Sequence, residues 1–114
     1  MFEGGNDILL YSQPIDMRRG IDGLCILIAE KLKREPHSGT LYVFYNRRLD
    51  KLKILYWQRN GFCVWYKRLE RDRFQIKAKS DTVILSIQQL RWLLDGLDYS
   101  RIEAHKAVAY NTYY

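Results

Sequence analysis

The sequence predicts an α+β fold, with an antiparallel sheet of about four to six strands, a long N-terminal helix and a shorter C-terminal helix. Three observations predict this class. Short runs of aromatic and β-branched residues follow one another between residues 40 and 68, an apolar stripe with helical spacing precedes them, and a second helical pattern follows. A length of 114 residues with 47% hydrophobic and 28% charged residues is typical of one globular domain.

The first predicted elements are a strand and a helix. "DILLY", residues 7–11, is a short apolar run typical of a buried strand. We predict the long helix over about residues 17–34, with Asp16 as its N-cap and Pro36 ending it. Its apolar stripe consists of Ile21, Leu24, Cys25, Ile28 and Leu32.

A three-stranded meander over residues 40–68 is predicted at the centre of the sheet. Its strands are residues 40–46, 51–57 and 62–68, and the first connection places Arg47 and Arg48 at its tip. Asn60-Gly61 is a strong hairpin signal, because both residues tolerate positive φ. A two-residue turn at these positions would pair Leu55 with Tyr66, Tyr56 with Trp65 and Trp57 with Val64.

The C-terminal part of the chain predicts a strand, a helix and a tail. Residues 82–85 read as a strand, and Ser86 with Gln89 forms a capping box that opens a helix over about residues 87–95. Gly96 is a natural left-handed stop for that helix. We therefore place one α+β domain at residues 1–97 and a tail at 98–114, which forms a short helix or is partly disordered.

Several function classes are disfavoured by the sequence. The two cysteines are far apart, the two histidines lack a paired spacing, and no nucleophile or phosphate-loop motif occurs. No apolar run approaches the ~20 residues that cross a bilayer. The N-terminal segment is acidic where a secretory signal would be basic. We therefore expect a cytoplasmic, non-catalytic protein with no metal, no cofactor and no membrane partner.

Positive charge is concentrated in residues 47–77. This segment holds ten Lys and Arg residues against three acids, a net +7, whereas the whole chain carries +6. Arginine is suited to phosphate oxygens, so a clustered basic surface favours contact with a nucleic-acid backbone over a solvated rim. The predicted nucleic-acid-binding residues are Arg47, Arg48, Lys53, Arg59, Lys67, Arg68, Arg71 and Arg73.

The same segment is rich in aromatic residues, which alternate with period two. We expect one sheet face to be core, and it carries Leu55, Trp57, Phe62, Val64 and Tyr66. The opposite face carries Ile54, Tyr56, Cys63, Trp65 and Lys67, and it is either covered by a helix or a contact platform. Base stacking by Tyr56 or Trp65 is the less favoured interpretation.

Several uncommon strings occur in a fixed order: "PIDMRRGIDGL", "SGTLYVFYNRR", "KILYW" and "GFCVWYKRLE". In these strings the chain resembles the accessory proteins, often labelled TnpB, encoded by the second reading frame of the IS-sixty-six group of bacterial insertion sequences. The likeness spans about residues 9–97. It implies a role in transposition beside a separate transposase and a second accessory protein, and it supplies no catalytic residues. In the family motif we expect Asp16, Met17, Arg18 and Gly20 to be structural.

Two hypotheses from different classes remain open at this point. The first is an accessory factor that binds DNA, at the ends of the insertion sequence, through the basic segment. The second is a protein–protein adaptor of the transposition machinery without direct nucleic-acid contact. The apolar second sheet face and the tail tyrosines Tyr110, Tyr113 and Tyr114 favour the second. The sequence leaves open DNA against RNA, and a homodimer is compatible with either hypothesis.

Overall fold

The computed structural model describes residues 2, 5–78 and 80–102. The strands, in chain order, are β1 (Ile8–Tyr11), β2 (Leu41–Tyr45), β3 (Lys51–Gln58), β4 (Gly61–Arg68) and β5 (Thr82–Leu85). The helices are α1 (Ile21–Leu27), which continues as a π-helical turn (Ile28–Leu32), and α2 (Ile87–Leu94), followed by a short 3-10 turn (Tyr99–Arg101). The α+β class, the strand number and the C-terminal helix confirm the predictions.

The sheet is mixed, and its strand order is β4-β3-β2-β1-β5. β1 and β2 are parallel, whereas the other neighbouring pairs are antiparallel. The helical segment between β1 and β2 returns the chain to the end of the sheet where β1 began, as a parallel pair requires. The prediction of an antiparallel sheet with the meander at its centre is therefore wrong: β2 is the central strand and β4 is an edge.

The N-terminal helix is shorter than the predicted 17–34. It consists of seven α-helical residues followed by five π-helical residues, and Lys33 ends it in the left-handed region with φ 55°. Gly20, not Asp16, is the N-cap. The predicted start is wrong because residues 14–19 bind the sheet instead, beginning with the Ile15 N–H, which donates to the Tyr45 carbonyl at 2.9 Å.

Each face of the sheet has its own hydrophobic core. The face toward α1 buries Leu9, Leu24, Tyr42, Phe44 and Leu55, with Phe62 and Val64 packed beside them. The opposite face packs against α2 and buries Ile8, Leu10, Val43, Leu52, Ile54, Phe74, Leu90 and Leu93. A helix therefore covers the second face, and Tyr56 and Trp65 lie half-buried against the ring of Phe2 there.

The β3–β4 hairpin has a different register from the predicted one. Its turn residues are Arg59 and Asn60, with Gln58 paired to Gly61, and Arg59 carries the positive φ of 60°. This register brings the rings of Trp57 and Phe62 edge to face at 4.9 Å. Because the two registers differ by two residues, each side chain keeps its predicted face.

The segment after β5 follows the predicted signals. Ser86 Oγ accepts from the Gln89 N–H at 3.1 Å while Gln89 Oε1 accepts from the Ser86 N–H at 2.9 Å, and Gly96 has φ 79°. Tyr99 is buried. Residues 103–114, with most of the predicted tail and its tyrosines, lie outside the described residues, so the boundary at residue 97 stays a prediction. In the described ranges no helix is long and apolar enough to cross a bilayer.

Candidate nucleic-acid interface

The segment between β1 and α1, residues 14–19, forms a corner that is folded on itself. Asp16 Oδ1 accepts from the Arg18 N–H at 2.9 Å, and Arg18 Nη2 donates to Asp16 Oδ2 at 2.6 Å. Ile15 points into the α1 core and is buried. The "DMRR" string is thus a compact turn with its own ion pair, and its predicted role as a structural motif fits these contacts for Asp16 and Arg18.

The other two residues of the motif, Met17 and Gly20, have less distinct structural roles. Met17 packs beside the α1 core, and its carbonyl accepts a hydrogen bond from β3. Gly20 has φ −92°, and an added Cβ would meet no atom within 4 Å. Nothing among the described residues requires glycine at this position.

Lys53 on β3 fastens this corner to the sheet. Its ammonium Nζ donates to the carbonyls of Met17, at 2.7 Å, and Arg19, at 2.9 Å. It also lies 5.9 Å from the centre of the Tyr66 ring, which is its neighbour across the ladder. Two of its three N–H donors are therefore used within the protein, while its positive charge stays at the surface of the corner.

The β2–β3 loop is held by one buried amide. Asn46 is only 9% exposed, and its Oδ1 accepts from the N–H groups of Asp50, at 3.1 Å, and Lys51, at 3.0 Å. Its Nδ2 donates to Asp50 Oδ1 at 2.6 Å, and this hydrogen bond lowers the pKa of the Asp50 carboxyl. The loop is thus fixed with Arg47 and Arg48 exposed at its tip.

Between the corner and this loop lies a cleft of about 890 Å³, which we call the basic groove. Five cationic side chains and one acidic side chain line it, and the acid, Asp16, is already paired with Arg18. The complete lining is Pro14, Ile15, Asp16, Met17, Arg18, Asn46, Arg47, Arg48, Lys51, Lys53 and Tyr66. The groove therefore offers excess positive charge to an anion.

The remaining predicted residues lie away from the basic groove. Arg59 lies at the far turn of the β3–β4 hairpin, roughly 25 Å from Lys51 at about 3.3 Å per residue. Lys67 is on the opposite sheet face, where its Nζ donates to the Leu94 carbonyl at 2.7 Å, at the C-terminal end of α2. These two side chains do not reach the groove.

The arginines after β4 form a separate group. Arg68 is opposite Lys51 in the ladder, but its Nε donates to Glu70 Oε2 at 2.7 Å. Arg71 and Arg73 line a smaller depression of about 460 Å³ beside Asp95. The predicted set thus divides into the groove group of Arg47, Arg48 and Lys53 and side chains elsewhere on the surface.

Three groove residues were absent from the predicted binding set. Arg18 was assigned a structural role, Lys51 was counted only in the net charge, and Tyr66 was assigned to the core. The prediction for Tyr66 is wrong, since 48% of the residue is exposed. The correct hairpin register, which pairs Lys51 with Arg68 and Lys53 with Tyr66, would have placed Lys51 and Tyr66 near each other on one face, but it gives no position for Arg18.

The ion pair in the corner gives a prediction that titration can check. Hydrogen bonds from Arg18 lower the pKa of Asp16 from 3.8 to about 2. As pH falls from about 4 to 2, the unfolded chain takes up this proton first, so the small contribution of the exposed pair to stability is lost in that window. NMR titration of the Asp16 carboxyl carbon should give a midpoint near 2.

The control for this titration is the variant Arg18→Ala. We expect the Asp16 midpoint to move up toward 3.8 in this variant, while the midpoint of Asp50 stays in place because Asn46, not Arg18, lowers it. An Asp16 midpoint that does not respond to Arg18→Ala would show that the two side chains are not paired in solution.

The described residues contain no group of three or more His, Cys, Asp or Glu side chains able to hold a metal ion. Cys25 and Cys63 are both free and partly buried, on different elements. Burial raises the pKa of the Cys25 thiol, which disfavours the thiolate that metal binding or nucleophilic attack needs.

Comparison of the sequence with known protein families assigns this chain to one of them. The profile of the family described as IS66 Orf2-like protein matches residues 6–104, nearly all of the chain. The chain belongs to this family. The resemblance carried by the "DMRRG" and "GFCVWYKRLE" strings is thereby confirmed, and family membership associates this IS66 Orf2-like protein with insertion-sequence transposition. The match includes both sides of the basic groove.

Two similar proteins come from Sinorhizobium fredii (strain NBRC 101917 / NGR234). The uncharacterized protein y4jC is 33% identical over 100 residues, which cover 87% of this chain and 86% of that protein. The uncharacterized protein y4hO is 38% identical over 85 residues, 74% of either chain. No solved structure matches significantly. The names of these two relatives state no function, so the family assignment rests on the family profile.

Proposed function

We propose that this IS66 Orf2-like protein is a non-catalytic accessory factor of transposition that assists a separate transposase. It binds the backbone of a nucleic acid, and this nucleic acid is the DNA at the ends of the insertion sequence. The observation that carries the proposal is the basic groove. Its cations come from two segments distant in sequence, the corner at residues 14–19 and the loop and strand at 46–53. Its single acid already has a partner within the protein.

The two arginines at the loop tip supply the phosphate contacts. Arg47 and Arg48 are exposed and follow each other on a turn, so their guanidinium groups approach an anion without first losing a buried partner. A guanidinium donates two parallel hydrogen bonds to phosphate oxygens, which a lysine ammonium does not. Lys51 adds a third cation on the adjacent strand.

The rigidity of the loop and the corner that form the basic groove favours the same function. The Asn46 amide holds the loop through three hydrogen bonds, and the Lys53 ammonium holds the corner through two. Both walls of the basic groove are therefore ordered before a ligand arrives. A preformed site loses less conformational entropy on binding than a flexible basic tail would.

Salt-dependent binding of purified protein to element-end DNA tests this function. With about four phosphates neutralised, log affinity should fall with log salt at a slope near −3.6 on a duplex and near −2.8 on a single strand. The double variant Arg47→Ala/Arg48→Ala should reduce the duplex slope by about 1.8. Fluorescence anisotropy across a salt series measures both quantities.

The matched control is Arg59→Ala/Arg91→Ala. It removes the same charge from the far hairpin turn and from α2, both outside the groove lining. We expect its slope to stay close to that of the unaltered protein. If both double variants weaken binding equally, the attraction is diffuse and the basic groove is not the site.

An adaptor without nucleic-acid contact is the second candidate, and one observation favours it. Within the described chain, edge strand β5 pairs with β1 alone, and Ile84 at its middle is 75% exposed. An open edge with an apolar side chain is able to accept a strand from a partner protein, such as the transposase or the second accessory protein. Transposase co-purification that is lost in Ile84→Lys but kept in Arg47→Ala/Arg48→Ala would favour this candidate. Homodimer formation and a cytoplasmic location stay predictions.

A further inference from the structure

Tyr66 is the aromatic side chain of the basic groove, and 48% of it is exposed. Two other tyrosines of the described chain are placed differently. Tyr42 and Tyr99 are almost completely buried, and their hydroxyl groups donate to the carbonyls of Glu35 and Lys77. The Tyr66 hydroxyl makes no hydrogen bond with any described residue, and its ring pairs with no described aromatic ring.

The surroundings of Tyr66 are cationic. Its neighbour across the ladder is Lys53, whose ammonium lies 5.9 Å from the ring centre. Arg68 follows two positions along β4 and Lys51 faces Arg68, so all four side chains project from one face of the sheet. An exposed aromatic ring next to several cations is the arrangement that proteins use to stack a nucleobase while holding the flanking phosphates.

The shape of the basic groove favours a single strand over a duplex. Proteins that read duplex bases insert a helix or a β-ribbon into the major groove, whereas Tyr66 lines a cleft. Bases inside a duplex are stacked on each other, so their faces are closed to a side chain in a cleft. A volume of about 890 Å³ lies within the range of about 300–1,000 Å³ typical of sites for small organic ligands, which accommodates an unpaired nucleotide.

We propose that the basic groove takes single-stranded nucleic acid, with one unpaired base stacked on Tyr66 and the neighbouring phosphates held by Arg47, Arg48 and Lys51. This inference rests on the proposed function and makes it narrower. The ligand class is an unpaired strand or a frayed end, and Tyr66 is the residue that distinguishes it from a duplex.

Three probes of about 12 nucleotides, within the range of site sizes known for single-strand binders, test this inference. They are a thymidine oligonucleotide, an abasic oligonucleotide with the same phosphates, and a duplex. We expect the unaltered protein to bind the thymidine strand about tenfold more tightly than the abasic strand, because only the former has bases to stack. This comparison needs no variant, so it does not depend on how a substitution affects folding.

Two variants then assign the effect to the ring. Tyr66→Phe keeps the stacking surface and should keep the preference for the thymidine strand. Tyr66→Ala should remove the preference, so that the thymidine and abasic strands bind this variant equally well. Circular dichroism checks that both variants are folded.

The outcomes separate this inference from the proposed function. If the abasic and thymidine strands bind the unaltered protein equally well, or Tyr66→Ala keeps the preference for the thymidine strand, stacking on Tyr66 is wrong while phosphate binding stands. If none of the three probes binds at low salt, both the proposed function and this inference are rejected.

Discussion

Replacing Phe74 by alanine is expected to lower the free energy of unfolding by about 3–5 kcal/mol, the usual cost of deleting a buried phenylalanine ring. Phe74 is 1% exposed and belongs to the core between the sheet and α2, although it lies outside every helix and strand. Because the total free energy of unfolding of a native protein is about 5–15 kcal/mol, this loss is a large fraction of it. Chemical denaturation followed by circular dichroism measures the loss.

Phe74→Ala should also loosen the β2–β3 loop that lines the basic groove. The Phe74 N–H donates to the Leu49 carbonyl at 2.8 Å, so this segment also supports the loop that carries Arg47 and Arg48. The matched control is Phe62→Ala, since Phe62 is only partly buried near the hairpin turn, and we expect roughly half of the loss or less. Equal losses in the two variants would show that the segment after β4 is not packed as described.

Replacing Lys53 by methionine is expected to lower the free energy of unfolding by about 2–4 kcal/mol and to weaken nucleic-acid binding. Hydrogen bonds of a charged donor contribute about 1.5–3 kcal/mol each, and partial exposure of the side chain reduces the sum of the two. Methionine keeps the apolar stem but leaves the carbonyls of Met17 and Arg19 without this donor. Denaturation and anisotropy on the same preparation measure the two effects.

Lys51→Met separates the two roles of the lysines. Lys51 also lines the basic groove, but its ammonium makes no hydrogen bond with the described residues, so this variant removes the same charge without loosening the corner. We expect weaker binding with stability changed by less than about 0.5 kcal/mol. If Lys53→Met is no less stable than Lys51→Met, the corner is not fastened by Lys53.

The parts of the site that the sequence predicted are those that short-range signals define. Arg47 and Arg48 were placed at a loop tip because two strand-like runs flank them, and the structure has them there. Arg59 was included in the same predicted binding set although it belongs to the other hairpin turn, and the eight residues of β3 separate it from the loop of Arg47 and Arg48. Counting charges along a chain does not reveal which side chains share an end of a sheet.

The hairpin shows how a correct signal gave a wrong detail. "NG" marked the turn, but Arg59 and Asn60 occupy its central positions and Gly61 begins β4. The resulting register sets Tyr66 opposite Lys53, at the end of the sheet face where the basic groove lies, and it leaves the ring half exposed. Alternation of apolar residues fixes which face a side chain is on, but not whether another element covers it.

The sequence by itself determined the α+β class, the strand runs, the capping box of Ser86 and Gln89, and the family, because each depends on local residue order. Only the tertiary structure decided the parallel pairing of β1 with β2, the start of α1 at Ile21 and the basic groove. Each of these depends on contacts between residues about 30 positions apart, such as Lys53 with the Met17 carbonyl or Ile15 with Tyr45. A hydrogen bond between residues this far apart competes with local helix formation. The local sequence pattern does not indicate which distant residue will be the partner in the folded chain.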